Sequence, residues 1–266
     1  MGYRTPVPDH PVHYGLPSPW LTVIFCLDDG IESASDREAL PAAAPDPIVV
    51  AGLHTRASFV LERQGQAGIQ LAVHPLACRA LFGLPAAELS VTEYDGRHVL
   101  GRGAVITQQR LTETGDWSGA FGLLGAHLRR SFDDHGRRAG ARSELTHAWY
   151  LLESSGGRRS IGEVASGVGL TARHLGTLFQ RELGTSPKTV AQLFRFQRAV
   201  GEVRTMITDR GRVDLAAVAD RAGYADQSHL SRDVKDRLGV PPTQWIHEEF
   251  RNLHDHARAA AADSRS

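Results

Sequence analysis

Two short stretches of this chain carry side chains suited to the surface of a nucleic-acid duplex. The first holds Arg173, Thr177, Gln180 and Arg181, with Lys188 shortly after. The second holds Gln227, Ser228, His229, Ser231, Arg232, Lys235 and Arg237. Arginine pairs bidentately with a guanine edge and glutamine with an adenine edge, each such pair contributing roughly 1–3 kcal/mol of discrimination. Arg232 and Gln227 are therefore the leading candidates for base contacts. Lys235, Arg237, Arg181 and Lys188 are candidates for phosphate contacts, which hold register and make binding salt-sensitive.

The elements that must position these residues are a repeated pair of helices. Ile161, Val164, Ala165 and Gly169 match Leu215, Val218, Ala219 and Gly223 at an offset of 54. After a one-residue insertion, His174, Leu175, Phe179, Leu183, Gly184 and Pro187 match His229, Leu230, Val234, Leu238, Gly239 and Pro242 at an offset of 55. Agreement across both helices and their punctuation implies two copies of one supersecondary unit. In each copy a short helix with apolar residues at i, i+3 and i+4 runs into a glycine, which permits a left-handed turn. A second helix follows, with Thr171 or Asp226 as N-cap. Small Ala165 and Ala219 let the helices cross closely. Leu175 with Phe179, and Leu230 with Val234, give each second helix an apolar inner stripe. This is a helix-turn-helix layout, whose second helix enters a major groove. A plain helical hairpin with a solvated outer face is the alternative for one copy. Two copies argue against it, as does a connecting helix of about 19 residues, roughly 28 Å long. That length is close to the roughly 34 Å between successive major-groove faces.

The spacing predicts helices over Glu144–Glu153, Ile161–Val168, Ala172–Leu183, Thr189–Ile207, Asp214–Ala222, Gln227–Leu238 and Pro242–Leu253, with no strand after Ser143. The earlier part reads as strands: Trp20–Leu27, Pro47–Leu53, Ser58–Gln64 and Gly68–Pro75, separated by turn-forming DDG, PAAAPDP and GQAG. Helices are expected at Leu76–Leu84, ended by Gly83 and Pro85, and at Trp117–Asp134. The polar HGRRAGARS stretch, His135–Ser143, reads as a hinge between domains 1–135 and 143–253. The final HARAAAADSRS reads as a frayed tail.

At the repeat the chain resembles the AraC/XylS family of bacterial transcription regulators. IGEVASGVGLTARHLGTLFQRELGTSP, FRFQRAV and VADRAGYADQSHLSRDVKDRLGVPPTQW carry the resemblance, over about Ser143 to Arg251. It implies an all-α domain whose two second helices contact adjacent major grooves of promoter or operator DNA. Arg173, Gly176 and Thr177 then fall where the first reading helix faces bases, and Gln227, Ser228, His229, Ser231 and Arg232 fall there in the second. Val234 stands where the family usually has phenylalanine. Arg198 and Ala199 match the connector's usual pair, and for Arg198 an intramolecular role is preferred. His174 is expected to pack or cap within its unit. SPWLTVIFCLDDG, AGLHTRASFV, GIQLAVHPLACRALFGLPAAEL and VLG at Val99–Gly101 are similar to the β-rich sensor domains of some actinobacterial members. That likeness implies an α+β chain: a barrel-like or curved-sheet domain, then the helical one. It further implies a small-molecule effector or a homodimer, and RNA polymerase as partner of an activator.

Composition sets bounds on these readings. The chain has 266 residues, 41% hydrophobic and 23% charged, enough for two cores. Its 30 basic and 30 acidic residues cancel, and Ser143–Arg251 holds 15 basic against 13 acidic. Attraction to phosphates must therefore come from placement. No apolar run approaches the roughly 18 residues of a membrane span, and no signal peptide is evident, so the cytoplasm is expected. Cys26 and Cys78 read as buried free thiols. Among 13 histidines, His54, His74 and His98 adjoin predicted strands as a cupin-type metal-dependent enzyme would need. Their spacing fits no compact ligand set, so hydrogen-bonded or surface roles are expected. A phosphate-binding loop, a nucleophile elbow and a nucleophile–base pair are likewise unsupported. Neither catalytic residues nor a cofactor are expected.

Overall fold

The structure, a computed structural model, describes residues 1–5, 11–92, 94–136 and 142–248. Residues 137–141 of the expected hinge, the expected tail, and the end of the helix expected over Pro242–Leu253 lie outside the described residues.

The N-terminal region holds two antiparallel four-stranded sheets. In the first, β1 (Gly2–Arg4), β8 (Ala67–Val73), β3 (Leu21–Cys26) and β6 (Ile48–Ala51) lie in the order β1-β8-β3-β6. In the second, β2 (Val12–Gly15), β7 (Ser58–Leu61), β4 (Ile31–Ala34) and β5 (Pro45–Asp46) lie in the order β2-β7-β4-β5. The sheets are not closed into a barrel, which corrects the barrel-like form of the sequence expectation.

Strand β3 shows why its sequence is a continuous apolar run. Side chains alternate between faces, and here both faces are covered. Leu21, Val23 and Phe25, all fully buried, join Ile48, Val50 and Ile69 against two helices. These are α2 (Arg97–Thr112), which contributes Ala104 and Leu111, and α3 (Trp117–His135), which contributes Ala120 and Leu124. On the other face Ile24 and Cys26 join Val49, Ala51 and Tyr94 with Ile31 and Val60 of the second sheet. A sheet buried on both sides loses the polar alternation of a half-exposed strand. Helix α1 (Cys78–Phe82) follows a 3-10 turn at Pro75–Ala77, and Gly83 ends it in the left-handed conformation (φ 78°).

The C-terminal region is helical: α4 (Ser143–Ser154), α5 (Ile161–Gly167), α6 (Ala172–Leu183), α7 (Pro187–Arg210), α8 (Leu215–Ala222) and α9 (Gln227–Leu238), with a further helical segment over residues 242–248. The boundaries follow the local chemistry. A capping box of Ser160 and Glu163 opens α5, and Thr171, Asp214 and Asp226 cap α6, α8 and α9. Ser186 caps α7 and Pro187 occupies its first turn, where the missing N–H costs nothing. The connector α7 therefore has 24 residues, longer than the 19 expected, and is about 36 Å long.

Both regions feed common cores. Trp149 of α4 is buried against His74 (centroids 4.9 Å apart) and Trp20 (6.1 Å) of the sheet region. Tyr14 and Ala57 are buried with Phe196, Val234 and Leu238.

Candidate nucleic-acid interface

Each helical pair is built as the repeat requires. Val164 and Ala165 of α5 meet Leu175 and Phe179 of α6 in one core, and Val218 and Ala219 of α8 meet Leu230 and Val234 of α9 in another. The turns pass through Gly169 (φ 71°) and Gly223 (φ 85°), both left-handed, where a side chain is strained. Thr171 Oγ1 accepts from the His174 amide (3.2 Å) and Asp226 Oδ1 from the His229 amide (2.7 Å). These bonds satisfy amides that helix starts leave free.

The two second helices are seated alike. Their C-terminal ends are held against the sheet region. Glu182 near the end of α6 takes two hydrogen bonds from Arg79 (2.7 and 3.3 Å), and Gly184 lies against the backbone of Ala87. At the end of α9, the Arg237 carbonyl accepts from the Ala57 amide (2.8 Å). Their N-terminal turns are exposed, at Ala172–His174 and Asp226–Ser228.

Arg173, Thr177, Gln180 and Arg181 are exposed on α6, and Lys188 is exposed on the first turn of α7. Thr177 donates to its own helix at Arg173 O (3.2 Å). Gly176 faces open space, for a Cβ there would meet nothing within 4 Å. Arg181 lies 3.8 Å from Glu182. On α9, Gln227, Ser228, Arg232 and Lys235 are exposed and Ser231 is half-buried. Arg232 Nε donates to Ser228 O (3.3 Å), which holds the stem along the helix. His229 is half-buried, its ring edge-on to Tyr224 (5.1 Å) and its Nδ1 accepting from the Ala225 amide (3.4 Å).

Two expectations need correction. Arg237 was expected at a phosphate. It is instead buried at 7% exposure, bonded to Asp233 (3.0 Å) and to the Thr55 carbonyl (3.2 Å), with its guanidinium over Phe196 (5.3 Å). Residues 230, 234, 237 and 238 share the i, i+4, i+7, i+8 face, so the helical period already placed Arg237 inward. His174 was expected to pack or cap, yet its side chain is exposed and only its amide is capped. Arg198 is exposed, its stem lying on Gly156. A stronger intramolecular role belongs to Arg195, whose Nη2 donates to Gly157 O (3.1 Å) and whose guanidinium lies over Tyr224 (5.7 Å). Tyr224 in turn donates to Asp233 (2.7 Å). No spacing signal marks Arg195, since Gly157 and Tyr224 are distant in sequence and adjacent only in the fold.

The three histidines beside the strands do not converge. His54 is buried with Nδ1 on Gly52 O (3.1 Å), His74 lies among tryptophans, and His98 is exposed near Asp95. Burial holds the His54 and His74 rings below the usual histidine range. Among the described residues no group of three or more His, Cys, Asp or Glu could hold a metal ion, and no helix is long and apolar enough to cross a membrane. Burial pushes both Cys26 and Cys78 up to about 12, so these thiols stay protonated.

Residues 164–248 match a family model described as a helix-turn-helix domain. Among solved structures the chain is similar to ToxT from Vibrio cholerae, with 12% identity over 93% of this chain and 97% of that one, at a TM-score of 0.52. A similar match is ToxT bound to (E)-4-(8-methylnaphthalen-1-yl)but-3-enoic acid, with 12% identity over 92% and 97% and a TM-score of 0.51. A probable AraC family transcriptional regulator from Rhodopseudomonas palustris aligns at 22% identity over 40% of this chain and 97% of that one, at a TM-score of 0.35. No curated protein matches the chain. The fold is thus that of a two-region, ToxT-like protein, sheet-rich and then helical. Its C-terminal region carries a helix-turn-helix domain over residues 164–248.

Proposed function

We propose that the chain is a sequence-specific DNA-binding transcriptional regulator. Residues 143–253 read the DNA, and residues 1–135 take a small-molecule effector. One observation carries the first part: two capped helix pairs bury their apolar stripes and leave Arg173, Gln227 and Arg232 exposed near the N-terminal ends of the second helices. In this mode those ends lie in successive major grooves. Arg232 and Gln227 contact bases, and Arg181, Lys188 and Lys235 contact phosphates.

Two facts support the effector. ToxT, which shares the fold, takes a small carboxylic acid. Here the hydroxyls of Tyr3 and Ser33 are buried with no hydrogen-bond partner among the described residues. Ser33 shares a strand face with Ile31, and Tyr3 packs on the same inter-sheet cluster, so both line that layer.

Selection of bound duplexes from a random pool by the full chain tests the DNA reading and defines the site. Enrichment of one motif, with affinity falling steeply as salt rises, is expected. No enrichment, or binding indifferent to salt, overturns it. Calorimetric screening of small carboxylic acids against the full chain tests the effector. Binding weakened by Tyr3→Phe is expected, and no binder removes that half of the reading.

A further inference from the structure

The two helix-turn-helix units meet at a seam around Arg195, a residue placed outside both reading helices. Arg195 projects from the middle of the connector α7. It reaches back to the turn after α4, where Nη2 donates to the Gly157 carbonyl (3.1 Å), and its guanidinium lies over the ring of Tyr224 (5.7 Å). Tyr224 directly follows the glycine of the second unit's turn. It is buried, donates to Asp233 of α9 (2.7 Å) and meets His229 of α9 edge-on (5.1 Å). A second strand of contact runs in parallel. The stem of Arg158 lies on Gly223, so close that a Cβ there would sit 2.9 Å from it. Gly157 itself is pressed onto the connector, since a Cβ there would lie 1.9 Å from the Ala191 carbonyl oxygen.

These contacts join three parts: the turn that leads into the first unit, the rod between the units, and the turn that launches the second reading helix. The apolar cores that seat each unit on the connector set its coarse orientation, but apolar contact is non-directional and tolerates a small rotation. A planar guanidinium bonded on one side and stacked on the other adds a directional constraint, because rotating either turn breaks the bond or the stacking. Resting on the DNA-binding reading above, we propose that Arg195 is a positioning residue that fixes the relative phase of the two reading helices. It thereby sets which spacing of half-sites the chain accepts.

The test uses the full chain and the duplex selected from the random pool. The spacer between the half-sites is lengthened by about two base pairs, which turns one groove by roughly 70° relative to the other. For the unaltered chain this insertion is expected to cost about tenfold or more in affinity. In Arg195→Met, which keeps the stem and loses the head, the cost of the insertion is expected to shrink to about threefold or less, while each half-site alone binds as before. Tyr224→Phe keeps the ring under Arg195 and is expected to retain the full spacing cost. An unchanged spacing cost in Arg195→Met overturns the proposal. So does an affinity loss equal at every spacing, which marks mere destabilisation, and so does an unaltered chain indifferent to spacing. If Arg195→Met does not fold, Arg195→Lys carries the same expectation at smaller amplitude. If no duplex is selected, the regulator reading fails by itself, and hydrogen exchange of the free chain then decides. Faster exchange at residues 156–158 and 223–226 in Arg195→Met, with α6 and α9 unchanged, supports the strut; unchanged exchange there overturns it.

Discussion

Arg237 donates from Nη1 to the carbonyl oxygen of Thr55 across 3.2 Å, tying the end of α9 to the sheet region. The same guanidinium bonds Asp233 and covers Phe196, with 7% of the side chain exposed. Truncating it takes one donor from the half-buried Asp233 carboxylate, which keeps Tyr224, and removes the tie to the Thr55 carbonyl. Arg237→Ala is expected to lower stability by about 2–4 kcal/mol in urea denaturation. A variant as stable as the unaltered chain, but with a shallower salt dependence of DNA binding, would return Arg237 to the phosphates.

Arg232 has a different exposure and therefore a different expected phenotype. It is exposed on the first turns of α9, where its Nε donates to Ser228 O. Arg232→Ala is expected to leave the unfolding midpoint nearly unchanged and to lower affinity for the selected site by about 1–3 kcal/mol. Binding to random duplex should change far less. A footprinting titration with undiminished preference for the selected site would remove Arg232 from base contact.

Gly176 sits within the unbroken α6 on a face with open space around the missing Cβ. Alanine there relieves the backbone entropy of a helical glycine, so Gly176→Ala is expected to raise stability by about 0.5–1 kcal/mol. If α6 lies against DNA, the added methyl also meets the groove, and affinity falls despite the gain. A thermal melt and a binding titration on one preparation separate the two. Lower stability would contradict the open face.

Burial depresses His54 and His74 below their ordinary 6.5, while the unfolded chain titrates normally. Below 6.5 the unfolded state therefore binds protons that the folded state does not, and stability falls as pH falls. A urea midpoint that is flat above pH 6.5 and declines below it is expected, before Glu32, whose Arg63 partner holds it under 4.5, begins to contribute. His74→Gln should flatten part of that slope. A midpoint that rises on acidification would contradict the burial of both rings.

The parts legible in the sequence are those governed by local chemistry. Thr171 and Asp226 sit at helix starts and Gly184 and Gly239 at helix ends as the repeat demanded, because caps depend on neighbours three or four residues away. Strands β3, β6, β7 and β8 were legible as apolar runs. The α2 helix was not: it carries Gly101 in a non-helical conformation (φ 70°) and several β-branched residues, which blur its periodicity. Strands β1, β2 and β5 are only two to four residues long and owe their form to partners far along the chain. Arg195 and Arg198 differ by one helical turn, and only the fold shows which meets Gly157 and Tyr224. Arg237 shows the opposite conflict: its charge suggests a phosphate contact, while the helical period places it inward.

The wall of Trp20 and His74 around Trp149 bears on how the molecule can be dissected. A fragment cut at Ser143 would bare the indole of Trp149, and with it the apolar flank of Phe196 and Leu238 that Tyr14 and Ala57 cover. Newly wetted aromatic surface of that kind drives self-association. The helical half, although it holds every residue assigned to DNA, is thus poorly made for life as an excised reagent, and polar replacements along that scar would have to precede its use.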